Sequence, residues 1–166
     1  MTRTTKGKRP ERNVLVVGIG NPDRGDDGIG PLVVRQLAGR VSPSITLIER
    51  TGDALALIED WAGRDAVVLV DAAAADTTPG RVHRIDLLQE ELLTDLSRAS
   101  THALGVADTV GLARTLDLLP ASVIVYAIEG ANFAPGAALS PKVATAAEEV
   151  VARIAAELRE MEHEHA

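Results

Sequence analysis

Four aspartates and one histidine are the side chains whose types and spacing could do chemistry. Asp23, Asp26 and Asp27 lie in one glycine-rich loop that follows an apolar run. Asp71 ends a second apolar run, and His102 precedes a helix-like pattern in the body of the chain. Carboxylates and an imidazole are ordinary ligands of divalent metal ions, and they can also act as acids or bases. The question is which of these uses the surrounding sequence supports.

The glycine-rich loop does not suit a dinucleotide. Gly18 and Gly20 begin the Gly-x-Gly-x-x-Gly pattern, but Asp23 stands at the third glycine. The three aspartates would also place negative charge where the N-terminus of the following helix should attract a pyrophosphate. Both features disfavour a nucleotide site.

Other catalytic signatures are also missing. A receiver-type signalling domain needs a lysine after its fifth strand, where this chain reads Ile128-Glu129-Gly130, and the only lysines are Lys6, Lys8 and Lys142. The sequence contains no His-Glu-x-x-His, no Gly-x-Ser-x-Gly and no P-loop. A metal site made of carboxylates and an imidazole remains, with positions left open for a substrate.

Each of these residues also has a structural interpretation. Asp26 and Asp27 stand at the start of a predicted helix, where aspartates often cap the helix or face its dipole. Asp71 could cap the next turn, and a lone histidine such as His102 is more often structural than a ligand. The tail sequence Glu162-His163-Glu164-His165 could bind metal adventitiously, although a frayed terminus is the simpler interpretation.

The elements that must position these residues alternate between strands and helices. Apolar runs predict buried strands at residues 13–18, 45–49, 66–71 and 122–128, and an alternating pattern predicts a strand at residues 81–87. Helical spacing predicts helices at residues 29–37, 54–61, 88–96, 104–116 and 141 to about 159.

This pattern predicts a three-layer α/β sandwich with a twisted, mostly parallel five-stranded sheet. Residues 72–80 are too few for a parallel crossover, so the fourth strand should be antiparallel and close to an edge. In the second helix, Leu55, Ile58 and Trp61 should face the core. Ser140 and Pro141 should start the last helix as its N-cap and first residue.

The predicted topology brings two of the acids together. Open α/β sheets bind ligands outside the carboxyl ends of their strands, where the strand order reverses. In a flavodoxin-like order, the first and third strands are neighbours at that point. We therefore expect Asp27 and Asp71 to face each other across the crevice.

Composition limits the remaining possibilities. The chain has 166 residues, a net charge of −7 and no cysteine, which suits one domain in a reducing cytoplasm. Residues 13–160 should form that single domain, between a disordered basic tail at 1–12 and a charged tail at 161–166. The acidic body disfavours nucleic acid, and no apolar run approaches the roughly 20 residues of a membrane span.

Four sequence blocks together resemble the endopeptidases that mature nickel–iron hydrogenases. The resemblance extends over nearly the whole body, from the first strand to the last helix. The blocks are Gly18-Ile19-Gly20-Asn21 with Asp26-Asp27-Gly28-Ile29-Gly30, then Leu69-Val70-Asp71-Ala72, then Ser100-Thr101-His102-Ala103-Leu104-Gly105, and finally Glu129-Gly130 with Leu139-Ser140-Pro141.

The resemblance implies a metal-contacting, catalytic triad of Asp27, Asp71 and His102, with Asp26 capping the helix. It implies that the substrate is the precursor of a hydrogenase large subunit, cleaved at a C-terminal extension after nickel has been inserted. Nickel would then be supplied by the precursor and serve as the recognition element, although zinc or cadmium could occupy the isolated site. We expect a cytoplasmic monomer or weak homo-oligomer.

Residues around this triad are expected to contact the substrate. They are Asn21, Glu129 and the loop Arg50-Thr51-Gly52-Asp53, which replaces the Gly-Gly-Thr run found in part of the family. That departure leaves open which hydrogenase class is the partner. Two other functions stay open as well: a non-hydrolytic nickel-sensing assembly chaperone, and a diverged relative that hydrolyses an unrelated peptide.

Overall fold

One five-stranded sheet organises the chain in this computed structural model, which describes residues 10–74, 78–89 and 103–164. The strand order is β2-β1-β3-β5-β4, with β4 antiparallel to β5 and the other neighbours parallel. The predicted fold class and the antiparallel edge strand are therefore confirmed. The strands are β1 Val14–Ile19, β2 Thr46–Arg50, β3 Ala66–Ala73, β4 Val82–Asp86 and β5 Ser122–Glu129.

Helices cover both faces of the sheet. The described helices are α1 Ile29–Leu37, α2 Ala54–Trp61, α3 Ala103–Thr115 and α4 Pro141–His163, with a 3-10 turn at Gly25–Gly28. Helices α1 and α4 pack on one face with Val16 and Val68, whereas α2 and α3 pack on the other with Leu15 and Val67. Strand residues alternate between two apolar cores, which is why β1 and β3 read as unbroken apolar runs.

The topology places the carboxyl ends of β1 and β3 side by side. Gly18 is paired with Val70, so Asp71 follows directly beyond that pair. Strand β2 lies on one side of β1, and the chain then crosses over to place β3 on the other side. The strand order therefore reverses between β1 and β3. The predicted position of a binding crevice is therefore present in the fold.

Several predicted boundaries differ from the structure. Strand β3 continues through Ala73 because Ala72 and Ala73 pair with Ile128 and Glu129, so Asp71 lies within the strand instead of ending it. Helix α4 continues to His163, beyond the predicted end near residue 159. Residues 90–96 of the predicted helix at 88–96 lie outside the described part of the chain.

Helix α2 begins and ends where the sequence predicts, but one of its residues faces outward. Leu55 is 64% exposed, while Leu57 is buried together with Ile58 and Trp61. The predicted inward position of Leu55 is wrong. Within the described residues, no helix is both long enough and apolar enough to cross a bilayer.

Candidate functional site

A short 3-10 turn at the end of β1 carries the adjacent carboxylates. Gly25–Gly28 is entirely buried and leads directly into α1. Its close packing depends on Gly20, where a built Cβ atom would lie 1.9 Å from the carbonyl oxygen of Asp27. Gly20 also has a φ of +141°, which L side chains rarely adopt. The glycine therefore lets the loop fold back over the end of β1.

Asp27 is nearly buried and turns back towards this loop. Its side chain is 7% exposed, and its Oδ2 accepts a hydrogen bond of 2.8 Å from the backbone N–H of Asn21. The N-cap position of α1 is Gly28, without a side-chain capping bond. Asp27 is therefore held at the strand end and does not cap the helix.

Asp26 is completely buried and makes a different set of contacts. Its Oδ2 accepts hydrogen bonds from the N–H groups of Ala131 and Asn132, at 2.7 and 2.9 Å, and from the hydroxyl of Ser140, at 2.7 Å. Its Oδ1 accepts the N–H of Ser140 at 2.7 Å. The prediction that Asp26 caps the helix is wrong, because its carboxylate binds the loop that follows β5.

These contacts also determine the ionisation of Asp26. Burial raises the pKa of its carboxyl, but the hydrogen bonds from Ser140, Asn132 and Ala131 outweigh that effect. The net pKa lies below its ordinary value, so the group is a carboxylate at neutral pH.

Asp71 lies on the neighbouring strand, at the same edge of the sheet. It is 1% exposed, and its Oδ1 accepts the N–H of Ala72 at 2.8 Å. Gly30 allows α1 to approach this edge, since a Cβ built there would lie 2.4 Å from the carbonyl oxygen of Ile19 and 2.5 Å from that of Val70. The start of α1, just after Asp27, is thus seated on the ends of β1 and β3.

The chemistry of these two residues fits a divalent metal ion. Carboxylate oxygens are ordinary ligands, and two of them would leave coordination positions open for further ligands. The predicted third ligand, His102, lies outside the described residues. Within the described ranges, no three acidic or histidine side chains cluster as a metal site. The triad therefore stays a prediction, with two members at one edge of the sheet.

The predicted substrate loop after β2 is held by ordinary structural contacts. Arg50 forms a two-point ion pair with Asp60, at 2.7 and 2.9 Å. Asp53 is the N-cap of α2 and accepts the N–H groups of Leu55 and Ala56, at 2.9 and 3.3 Å. Between them, Thr51 is exposed and Gly52 has a φ of +102°. Hydrogen bonds thus hold both ends of the loop, while its role in substrate binding stays a prediction.

The other two predicted substrate residues also have local partners. Asn21 accepts the N–H of Asp23 through its side chain, at 2.9 Å. Glu129 is 6% exposed and binds the N–H of Thr78 and the imidazole of His83, each at 3.3 Å. These bonds attach the edge strand β4 to the end of β5. Whether Glu129 also meets a substrate stays a prediction.

Comparison with known proteins identifies the family. The model of the hydrogenase maturation protease family matches residues 31–157, which is more than half of the chain and begins beyond Asp27. This chain belongs to the hydrogenase maturation protease family. That match is independent of the acidic motif at the end of β1, because the motif lies outside it.

Individual members of the family agree with this membership. The hydrogenase 2 maturation protease of Escherichia coli strain K12 is 29% identical over 152 residues, covering 89% of this chain and 91% of the relative. The solved structure of the hydrogenase maturating endopeptidase HybD from E. coli has a TM-score of 0.77 at 26% identity, over 89% of this chain and 93% of that one. The structure of the [NiFe] hydrogenase maturation protease HybD from Thermococcus kodakarensis has a TM-score of 0.73 at 28% identity, over 88% of this chain and 98% of that one.

Proposed function

We propose that this protease removes the C-terminal extension of a nickel–iron hydrogenase large-subunit precursor after nickel insertion. The observation that carries the proposal is that Asp27 and Asp71 both lie at the carboxyl ends of β1 and β3 in a maturation-protease fold. Both carboxylates are almost buried and both lie where α/β sheets bind ligands. Family membership supplies the peptide-hydrolase activity to which this edge is assigned.

In this proposal, nickel arrives with the precursor and is recognised by Asp27, Asp71 and His102. Such a site contains oxygen and nitrogen ligands and no thiolate, because the chain has no cysteine. It should bind nickel less tightly than a thiolate site would. Weak binding suits a protein that must release its product after cleavage.

Hydrolysis requires a water molecule to attack the scissile carbonyl carbon. A bound metal would polarise that carbonyl or orient the water. On the protein side, we assign Asp27 or Asp71 as the base that accepts the proton of the attacking water. Their low exposure keeps them out of bulk water, which strengthens their interaction with a cation.

The decisive experiment is cleavage of nickel-loaded precursor, followed by mass spectrometry. Wild-type protein should release the C-terminal peptide only when the precursor holds nickel. Asp27→Asn, Asp71→Asn and His102→Ala should each lower the rate at least about 100-fold, because each removes a proposed metal contact. Glu160→Gln, an exposed site on α4, should cleave normally. Near-normal rates in all three site variants would exclude the assignment.

The same experiment separates the alternative function. A nickel-sensing chaperone would form a stable complex with the loaded precursor and leave its mass unchanged. A control with both His163 and His165 replaced by alanine removes adventitious metal binding by the tail. The protease proposal requires this double variant to retain nickel-dependent cleavage.

A further inference from the structure

The loop between β5 and α4 is connected to the acidic turn by one buried carboxylate. We call residues 130–140 the β5–α4 loop. Asp26 accepts four hydrogen bonds from this loop, through the three residues Ala131, Asn132 and Ser140. Neither the turn nor the loop belongs to a strand or α-helix, so their relative position depends on such contacts.

Backbone contacts join the same two segments. The N–H of Asp26 donates to the carbonyl of Asn132 at 2.9 Å, and the N–H of Gly136 donates to the carbonyl of Asp23 at 2.7 Å. The packing is close as well, since a Cβ built on Gly25 would lie 2.2 Å from the carbonyl oxygen of Asn132. The two segments therefore form one interlocked unit beside the end of β1.

The neighbouring aspartates point to different partners. Asp26 binds the β5–α4 loop, whereas Asp27 accepts the N–H of Asn21, which precedes the turn. Because the two residues are adjacent in a buried turn, any shift of Asp26 moves the backbone of Asp27. The position of Asp27 at the strand end thus depends on the bonds made by Asp26.

We propose that Asp26 is a positioning residue that holds Asp27 at the β1–β3 edge by binding the β5–α4 loop. Asp26 itself touches no substrate in this proposal. Its importance for cleavage rests on the proposed function of Asp27, but its mechanical role does not. The two can therefore be tested separately.

The mechanical role is tested by amide hydrogen exchange, measured by NMR on the full chain. Asp26→Asn places an amide donor against N–H or O–H donors of the loop, so at least one hydrogen bond is lost. The N–H of Asn21 reports on Asp27, because it donates to Asp27 Oδ2. We expect the exchange of Ala131, Asn132 and Asn21 to accelerate together, by at least 10-fold. Acceleration in the loop with unchanged Asn21 would overturn the proposal.

A matched variant controls for general loss of stability. Glu157→Gln alters another hydrogen-bonded carboxylate, about 25 Å further along α4 from Ser140. It should leave the exchange of Asn21 unchanged. Acceleration at Asn21 in this variant equal to that in Asp26→Asn would show that Asn21 reports only overall stability, which would overturn the proposal. Ser140→Ala, which removes one of the four donors, should give a smaller acceleration than Asp26→Asn.

Cleavage and metal binding then connect the mechanical role to the proposed function. In calorimetric titration with Ni²⁺, Asp26→Asn should weaken binding about 10-fold while all three predicted ligands remain, and Glu157→Gln should bind like wild type. Nickel affinity unchanged in Asp26→Asn would overturn the positioning role. If wild-type protein neither binds nickel nor cleaves precursor, the proposed function fails, and the exchange of Asn21 still decides the role of Asp26.

Discussion

At the residue scale, Gly30 sets the distance between α1 and the sheet. The backbone oxygens of Ile19 and Val70 both lie within 2.5 Å of the place that a Cβ atom would occupy. These oxygens belong to the strand ends that carry the candidate site. A side chain at this position would have to push the start of α1, and with it Asp27, away from the sheet.

We predict that Gly30→Ala lowers the free energy of unfolding by about 1–3 kcal/mol, because neither backbone can move without strain. Gly111→Ala is the matched control, since Gly111 lies in α3 with open space around its built Cβ atom. That change should raise stability by about 0.5–1 kcal/mol. Urea unfolding measures the stability of both variants, followed by the fluorescence of Trp61, which is buried and is the one tryptophan of the sequence. Equal effects of the two changes would contradict the close approach at Gly30.

A second residue-scale prediction concerns the cap of α2. Asp53→Ala removes the acceptor for the N–H groups of Leu55 and Ala56 and should lower stability by about 1 kcal/mol. Asp53→Asn keeps a side-chain oxygen and should stay within a few tenths of a kcal/mol of wild type. The same unfolding measurement distinguishes them, and an equal loss in both variants would exclude capping as the cause.

At the element scale, one carboxylate joins the edge strand to the last helix. Glu157 on α4 accepts hydrogen bonds from Arg84 on β4 and from the hydroxyl of Tyr126 on β5. The guanidinium of Arg153 lies 5.4 Å from the centre of the Tyr126 ring. Burial, and then the bond to Glu157, raises the pKa of Tyr126 to about 12. Burial alone would raise the pKa of Glu157, but the bonds from Arg84 and Tyr126 bring it below the ordinary value.

This ionisation predicts a pH-dependent contribution to stability. A carboxyl whose folded pKa is depressed stabilises the protein above its unfolded pKa, here 4.5, and loses that contribution as pH falls through the folded pKa. Glu157→Gln should therefore cost about 1–3 kcal/mol at pH 7. Its difference from wild type should shrink below about pH 4.5. Urea unfolding at several pH values tests this, with Glu160→Gln as an exposed control. A difference that stays constant down to pH 2 would contradict it.

The elements themselves were largely predictable from the sequence, and the reasons are local. Strands buried on both faces appear as continuous apolar runs, and the short connection before β4 required an antiparallel strand. The end of β3 was placed too early because aspartate and alanine are poor strand formers, and the pairing of Ala72 and Ala73 with β5 is a tertiary contact. Leu55 was misplaced because a short helix allows more than one assignment of its inward face.

The site was less predictable, because its contacts join distant segments. The spacing indicated that Asp26 and Asp27 precede a helix, but it held no information about which carboxylate meets residues 131–140. Ser140 was correctly placed before α4, yet its hydroxyl bonds to Asp26 instead of capping the helix. Such pairings depend on how the loops of the sheet edge pack, which periodicity does not report.

At the scale of the whole molecule, metal binding should be visible as added stability. A ligand that binds only the folded state raises the free energy of unfolding by about 2.7 kcal/mol at 100 times its dissociation constant. At that concentration, Ni²⁺ should raise the free energy of unfolding of the wild-type protein by about 2.7 kcal/mol, and EDTA should remove this gain. Asp27→Asn and Asp71→Asn should show little or no such gain. The background should be the variant with alanine at His163 and His165, since these residues could bind metal in the unfolded chain as well. An equal gain in all variants would place the metal elsewhere.

The bond between Asp26 and Ser140 joins residues 114 positions apart and so affects when the site can form during synthesis. At the usual speed of translation, about 5–20 residues per second, Asp26 leaves the ribosome roughly 6–23 s before Ser140. Until then the two hydrogen bonds from Ser140 to Asp26 cannot form. The contacts that hold the acidic turn therefore form late in synthesis, after all five strands of the sheet have been made.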